Sequence, residues 1–163
     1  LNKSATITVT VPAGVDDGQR LKLRGEGEQA PAGGIPGDLY VDIHLRPHEI
    51  FQRQGTELVC EVPVTYAQAV LGSEVPVPTL EGEIRMKIPA GTPSGKVFRL
   101  RGKGIVDMRT GEKGNLHVQT YVHVPRELTE RQRELLEELA EIEGAAVANG
   151  SRSFFDKVKD LFD

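Results

Sequence analysis

Val11-Pro12-Ala13-Gly14 returns as Ile88-Pro89-Ala90-Gly91, Gly25-Glu26-Gly27 as Gly102-Lys103-Gly104, and Gly37-Asp38-Leu39 as Gly114-Asn115-Leu116, each time 77 residues later. Of the seven glycines from Gly14 to Gly37, six meet another glycine at that offset; Gly33 alone does not. Leu23-Arg24 likewise meets Leu100-Arg101. Glycines kept at fixed places mark shared turns, where the backbone needs positive φ or close approach. The chain therefore holds two copies of one unit, and any fold assigned to it must be built twice.

The unit is made of strands. Ile7, Val9 and Val11 alternate with Thr6, Thr8 and Thr10, the period of a half-buried strand rich in β-branched residues. Leu21 and Leu23 alternate with Arg20, Lys22 and Arg24; Leu39, Val41, Ile43 and Leu45 alternate with Tyr40, Asp42, His44 and Arg46. The second copy answers with Ile84, Met86 and Ile88, then Phe98 and Leu100, then Leu116, Val118, Thr120 and Val122. Loops rich in Gly and Pro separate the strands, the pattern of a β-sandwich or open barrel. Before Ile88 the sequence predicts strands at Leu58–Pro63, Glu74–Pro78 and Gly82–Lys87 and a short helix around Thr65–Leu71. Only ten residues precede Val11. The first copy is thus expected to lack its opening strands and helix, which would lie upstream of Leu1 in a longer parent.

The tail changes character. Thr129 with Gln132 three residues on forms a capping-box signature, and Leu135, Leu136, Leu139 and Ile142 follow at helical spacing. Residues 144–153 are small and polar, a linker. Phe154, Phe155, Val158, Leu161 and Phe162 then make an apolar helical stripe. A helix of roughly nine residues cannot hold itself together. Its phenylalanines must dock, either back onto the same chain or onto a second copy in a two-fold dimer.

The remaining composition narrows the function. With 38% hydrophobic and 27% charged residues the chain is globular. Its net charge of −4 argues against nucleic-acid binding, and no apolar run reaches the ~20 residues of a membrane span. Cys60 is the single cysteine, too few for a disulfide or a multi-cysteine zinc site, and fits a reducing, cytoplasmic compartment. Gly91–Lys96 lacks the spacing and the hydroxyl residue of a phosphate loop, and Gly25-Glu26-Gly27 opens no helix that could receive a pyrophosphate. His44, His48, His117 and His123 show no metal-ligand spacing, and no activated nucleophile is evident. A binding or assembly role is expected rather than an enzyme. Exposed apolar strand positions could pair an extended peptide, or could simply fill a sandwich core.

Several stretches resemble the C-terminal region of DnaJ proteins: Pro12–Gly18, Leu23–Glu28, Pro36–Leu39, Arg46–Arg53, Ala67–Gly72, Ile88–Thr92 and Leu100–Gly104. The tail Phe154-Phe155-Asp156-Lys157-Val158-Lys159 is similar to that of bacterial members. The resemblance implies a mostly β chain of two tandem β-sandwich subdomains, the first incomplete at its N-terminus, followed by C-terminal helices. The expected boundaries are 1–56 for the partial, client-binding subdomain, 57–126 for the second subdomain, and 127–163 for a helical dimerisation tail with its linker at 144–153.

The function so implied is that of a molecular chaperone fragment that binds unfolded polypeptide in protein folding and the stress response, and that mediates homodimerisation of a co-chaperone. The alternative is a dimerisation module whose client binding is lost by truncation. The implied peptide-binding residues are Ile7, Leu21, Leu23, Val41 and Phe51; the dimerisation residues are Phe154, Phe155, Val158, Leu161 and Phe162. The implied partners are non-native polypeptide, a second copy and, through the full-length protein, a DnaK-type ATPase chaperone. The chain contains no His-Pro-Asp motif and no Cys-x-x-Cys repeat. The J domain and the zinc-binding module of the family are therefore missing, and no cofactor is expected. In zinc-containing members that module interrupts the first subdomain just before the strand of Ile7.

Overall fold

The computed structural model describes residues 6–145 and 147. It divides into a β unit, Leu1–His123, and a helical unit, Val124–Asp163. In chain order the β unit contains β1 (Arg20–Leu23), a single 3-10 turn (Pro31–Gly33), β2 (Leu39–Asp42), β3 (Gln52–Gln54), β4 (Glu57–Val64), α1 (Tyr66–Leu71), β5 (Ser73–Thr79), β6 (Gly82–Ile88), β7 (Val97–Leu100) and β8 (Leu116–Val122). The fold is mostly β, in three sheets: β1-β2, β3-β4-β8-β7 and β5-β6.

The repeat is visible down to single hydrogen bonds. Leu21 pairs with Val41 in the first hairpin, and Phe98 with Val118 in the second, each position displaced by 77. Gly18 N–H donates to Ile43 O and Gly27 N–H to Gly37 O; in the second copy Gly95 N–H donates to Thr120 O and Gly104 N–H to Gly114 O. Side chains that close the turns repeat as well. Asp38 and Asn115 accept from the N–H groups of Gly25 and Gly102. Asp17 and Ser94 accept from those of Leu45 and Val122. The side chain changed at both places while the backbone bond it closes did not.

The second copy is a complete sandwich. Alternation in β4 turns Leu58, Cys60, Val62 and Val64 inward, and β8 turns Leu116, Val118 and Thr120 inward to full burial. These two strands run parallel, with Cys60 beside Val118. Val75, Val77, Met86 and Ile88 of the β5-β6 hairpin close the core from the other side. Removing each such side chain from water stabilises the fold by about 1.5–3 kcal/mol. Thr120, the polar member, is satisfied by donating to Lys96 O at 3.0 Å. Pro76 and Pro78 lie on β5, whose one ladder partner among the described residues is β6; a proline needs no donor on such an edge. At the β5-β6 turn, Glu81 meets Lys103 and Lys113, which together pull its carboxyl down to about 2.

α1 opens on a capping box in which Thr65 Oγ1 accepts from Gln68 N–H and Gln68 accepts from Thr65 N–H. α2 (Glu130–Glu143), in the helical unit, opens the same way with Thr129 and Gln132 and ends at Gly144 in the left-handed conformation. The stripe expected on α2 is largely in solvent: Leu135 and Leu136 are 47% exposed and Ile142 83%, while Ala140 is buried.

One expected strand needs correction. Residues 6–11 correspond to β6 moved back by 77, and Ile7 and Val9 are half-buried as their alternation requires, yet they form no ladder. A strand exists only through its partner. β6 has β5, and no described residue plays that part for 6–11. Val11, the counterpart of the fully buried Ile88, is 52% exposed for the same reason. The expected strand from Leu39 to Leu45 is also shorter, ending at Asp42, although Ile43 N–H still reaches Gln19 O at 2.9 Å.

Candidate functional site

The first hairpin has two unlike faces. On one, Arg20 donates from Nε and Nη2 to the two carboxylate oxygens of Asp42 at 2.6 and 3.2 Å, and Lys22 meets Asp38 at 2.6 Å. Tyr40 stands between them, with the Arg20 and Lys22 cations 5.9 and 5.7 Å from its ring centroid. Asp42 is held below the usual carboxylate range by Arg20, and Asp38 by Lys22 and the Gly25 N–H. Exposed ion pairs contribute little stability. Their value here is in register: slipping the pairing by one residue would break all of them and turn the other face outward.

That other face is apolar. Leu21 stands opposite Val41 and Leu23 opposite Leu39. All four are half-buried, as are Ile7 and Val9. The same positions in the second hairpin lie against its core. There Leu116 and Val118 are wholly buried, and Phe98 and Leu100 pack against the buried cluster. Two hairpins with one register thus differ in cover. The first presents to solvent part of what the second hides.

The structure brings together three of the five positions expected to bind peptide, Leu21, Leu23 and Val41, on one face of this ladder; Ile7 lies in the half-buried stretch that precedes the hairpin in the chain. Phe51 sits elsewhere, 8% exposed within the second copy's buried cluster. It also borders a cleft of about 590 Å³ shared with Leu45, Leu58, Leu80 and Ile105. Leu39 belongs to the apolar face too; the sequence marked it as an apolar strand position but not among the expected peptide-binding residues. Its signal was present, because 77 residues on it becomes Leu116, at the centre of the core. Phe154, Phe155, Val158, Leu161 and Phe162 lie outside the described residues.

Arg53 was also not legible as a structural residue. Its guanidinium donates to Val15 O at 2.7 Å, Gly14 O at 3.2 Å, Gly55 O at 2.8 Å and Asp16 Oδ1 at 2.7 Å. One side chain on β3, in the sheet of the second copy, therefore holds the Pro12–Asp16 loop of the first. Val15 in that loop is 6% exposed, and Gly14 lies against the Val106 carbonyl. The equivalent loop of the second copy instead rests on its own helix, Gly91 N–H donating to Val70 O and Thr92 N–H to Ala69 O.

Three of the four histidines are accounted for locally. His117 meets Glu57 at 2.5 Å, an acid that also accepts from the Asn115 backbone. His44 faces Asp17 at 4.0 Å, and His48 closes a turn. Among the described residues no three His, Cys, Asp or Glu side chains gather as metal ligands, and no helix is long and apolar enough to cross a membrane. Cys60 is buried, and desolvation pushes its thiol pKa up, away from reactive thiolate.

Comparison with known proteins accounts for this architecture. The DnaJ C terminal domain family matches residues 1–125, and the Chaperone protein DnaJ C-terminal region matches residues 131–163. The chain is 49% identical over 160 residues to Chaperone protein DnaJ of Bacillus velezensis, covering 98% of this chain and 43% of that protein. It is 51% identical over 165 residues to the protein of that name from Acidiphilium cryptum (99% and 43%), and 47% identical over 162 residues to that of Rhodopirellula baltica (99% and 41%). The chain thus spans about two fifths of the length of these relatives. Two β copies in one register, followed by a capped helix, are how this sequence builds the architecture of the family it belongs to, the DnaJ C-terminal domain family.

Proposed function

We propose that the chain acts as the client-binding and dimerising part of a DnaJ chaperone, by binding and not by catalysis. The observation that supports this most is the contrast between the hairpins: Leu39 and Val41 remain half-exposed where their counterparts Leu116 and Val118 are wholly buried, and Leu21 and Leu23 lie on the same open face. An extended, unfolded segment laid along β2 would satisfy its own backbone groups and set alternate apolar side chains on this face. β8 carries β4 along its second edge, whereas β2 pairs only with β1 among the described residues. In this reading residues 1–56 carry the client contact, 57–126 the rigid sandwich, and 127–163 the dimer contact. Two arms then hold one client with an avidity neither has alone. A DnaK-type ATPase chaperone would engage the whole protein in the cytoplasm.

The test is fluorescence anisotropy with a labelled, extended apolar peptide. Val41→Asp places a carboxylate on the face, and its expected effect is a loss of affinity of about tenfold or more. Tyr40→Ala, on the opposite face of the same strand, is expected to bind as the parent does. Equal affinity for all three chains would leave a dimerisation module only. Light scattering examines the other half of the reading. This chain is expected to be a dimer and a chain ending at Glu143 a monomer; a monomer in both cases would remove the two-arm mechanism.

A further inference from the structure

Between the two copies the chain makes a tight turn at Pro47–Phe51, and a histidine closes it. His48 Nδ1 accepts from the backbone N–H of Ile50 at 3.0 Å and of Phe51 at 3.3 Å. Its ring lies against the Phe51 ring, centroids 5.1 Å apart. Both backbone bonds require Nδ1 to be bare, so the imidazole is neutral and carries its proton on Nε2. What the turn positions is the joint itself. Phe51 enters the second copy's core, and two residues later Arg53 reaches back to Gly14, Val15 and Asp16 of the first copy.

We propose that His48 is an acid-sensitive latch on this joint. Neutral, it pins the turn that carries Phe51 and Arg53. Protonated, its Nδ1 bears a hydrogen, and two accepting contacts become N–H against N–H. The turn then opens, and the Arg53 clamp on the first copy loosens with it. The charges around the ring give the imidazolium somewhere to go. Arg46 and Glu49 flank it in the chain, Asp16, Asp17 and Arg53 share the cleft on one side, and Glu61 and Tyr121 share the pocket on the other. Glu49 and Glu61 favour the charged ring once the turn has opened, whereas Arg46 and Arg53 oppose it. His44 and His117 differ in kind: each faces a carboxylate, Asp17 and Glu57, so acid removes no backbone acceptor there. The latch does not depend on the client-binding reading.

The experiment is amide hydrogen exchange at Ile50 and Phe51, normalised to the intrinsic rate, at about pH 8 and about pH 5, the range across which histidine changes charge. In the full chain protection at both amides is expected to fall at least tenfold on acidification. His48→Asn keeps an acceptor that does not titrate, and its protection is expected to be the same at both pH values. His48→Ala has no acceptor and is expected to be unprotected at both. Full protection of the parent chain at the acid pH would overturn the latch. So would an equal acid-induced loss in His48→Asn, which would assign the effect to another group.

Discussion

Gly14→Ala is expected to cost the β unit roughly 3 kcal/mol or more, while Gly91→Ala, the same substitution in the second copy, costs about 1 kcal/mol. The two glycines occupy one position of the repeat and one conformation, with φ of +85° and +77°. Left-handed backbone accounts for the smaller cost, which both share. Surroundings account for the rest. A Cβ at Gly91 meets no atom within 4 Å, whereas one at Gly14 would lie 2.1 Å from the Val106 carbonyl oxygen. That oxygen belongs to backbone and cannot swing away. Relief would require the Pro12–Asp16 loop to lift, exposing Val15 and stretching the bonds from Arg53. Thermal unfolding of the two variants, followed by circular dichroism, measures the difference. Equal losses would mean that the contact between copies carries no load.

Arg53→Ala should destabilise by roughly 2–3 kcal/mol, lowering the melting temperature by several degrees. The side chain is 23% exposed and its fork spans three carbonyls and one carboxylate. Removing it leaves Gly14 and Val15 carbonyls without their donor in a part-buried place. Arg53→Lys retains the charge beside Asp16, yet an ammonium on a flexible stem cannot reproduce the planar fork, so most of the loss should persist. Arg20→Ala is the contrast, since its pair with Asp42 is 63% and 49% exposed and screened by solvent. Calorimetry on the three variants should rank Arg53→Ala close to Arg53→Lys and well apart from Arg20→Ala.

Much of this was written in the glycines. Because a turn demands backbone geometry before it demands a side chain, six glycines at one offset exposed the repeat; the twin registers of β1-β2 and β7-β8 emerged only with the fold. The apolar alternation of Leu21, Leu23 and Val41 likewise marked a face that proved half-open. Burial is another matter. Leu39 and Leu116 read alike in the sequence, and only the cover of β5-β6, with β4 alongside β8, separates them. Ile7–Val11 carries the alternation of a strand, but a ladder is a property of two segments. Arg53 was invisible because three of its four partners are backbone carbonyls, two of them 38 and 39 residues away, and carbonyls leave no trace in residue types. The parallel neighbours β4 and β8 were equally silent, since alternation does not reveal strand direction.

That parallel pair sets a clock on how the chain is made. Leu58 must wait for Leu116, and Val64 for Val122. At a synthesis rate of ~5–20 residues per second, β4 stands without β8 for several seconds after it leaves the ribosome. The first hairpin waits far less, since Leu23 and Leu39 lie close in sequence. A protein read here as a holder of unfolded strands is thus born with an unfolded strand of its own, Leu58-Val59-Cys60-Glu61-Val62, apolar enough to be a client while it waits.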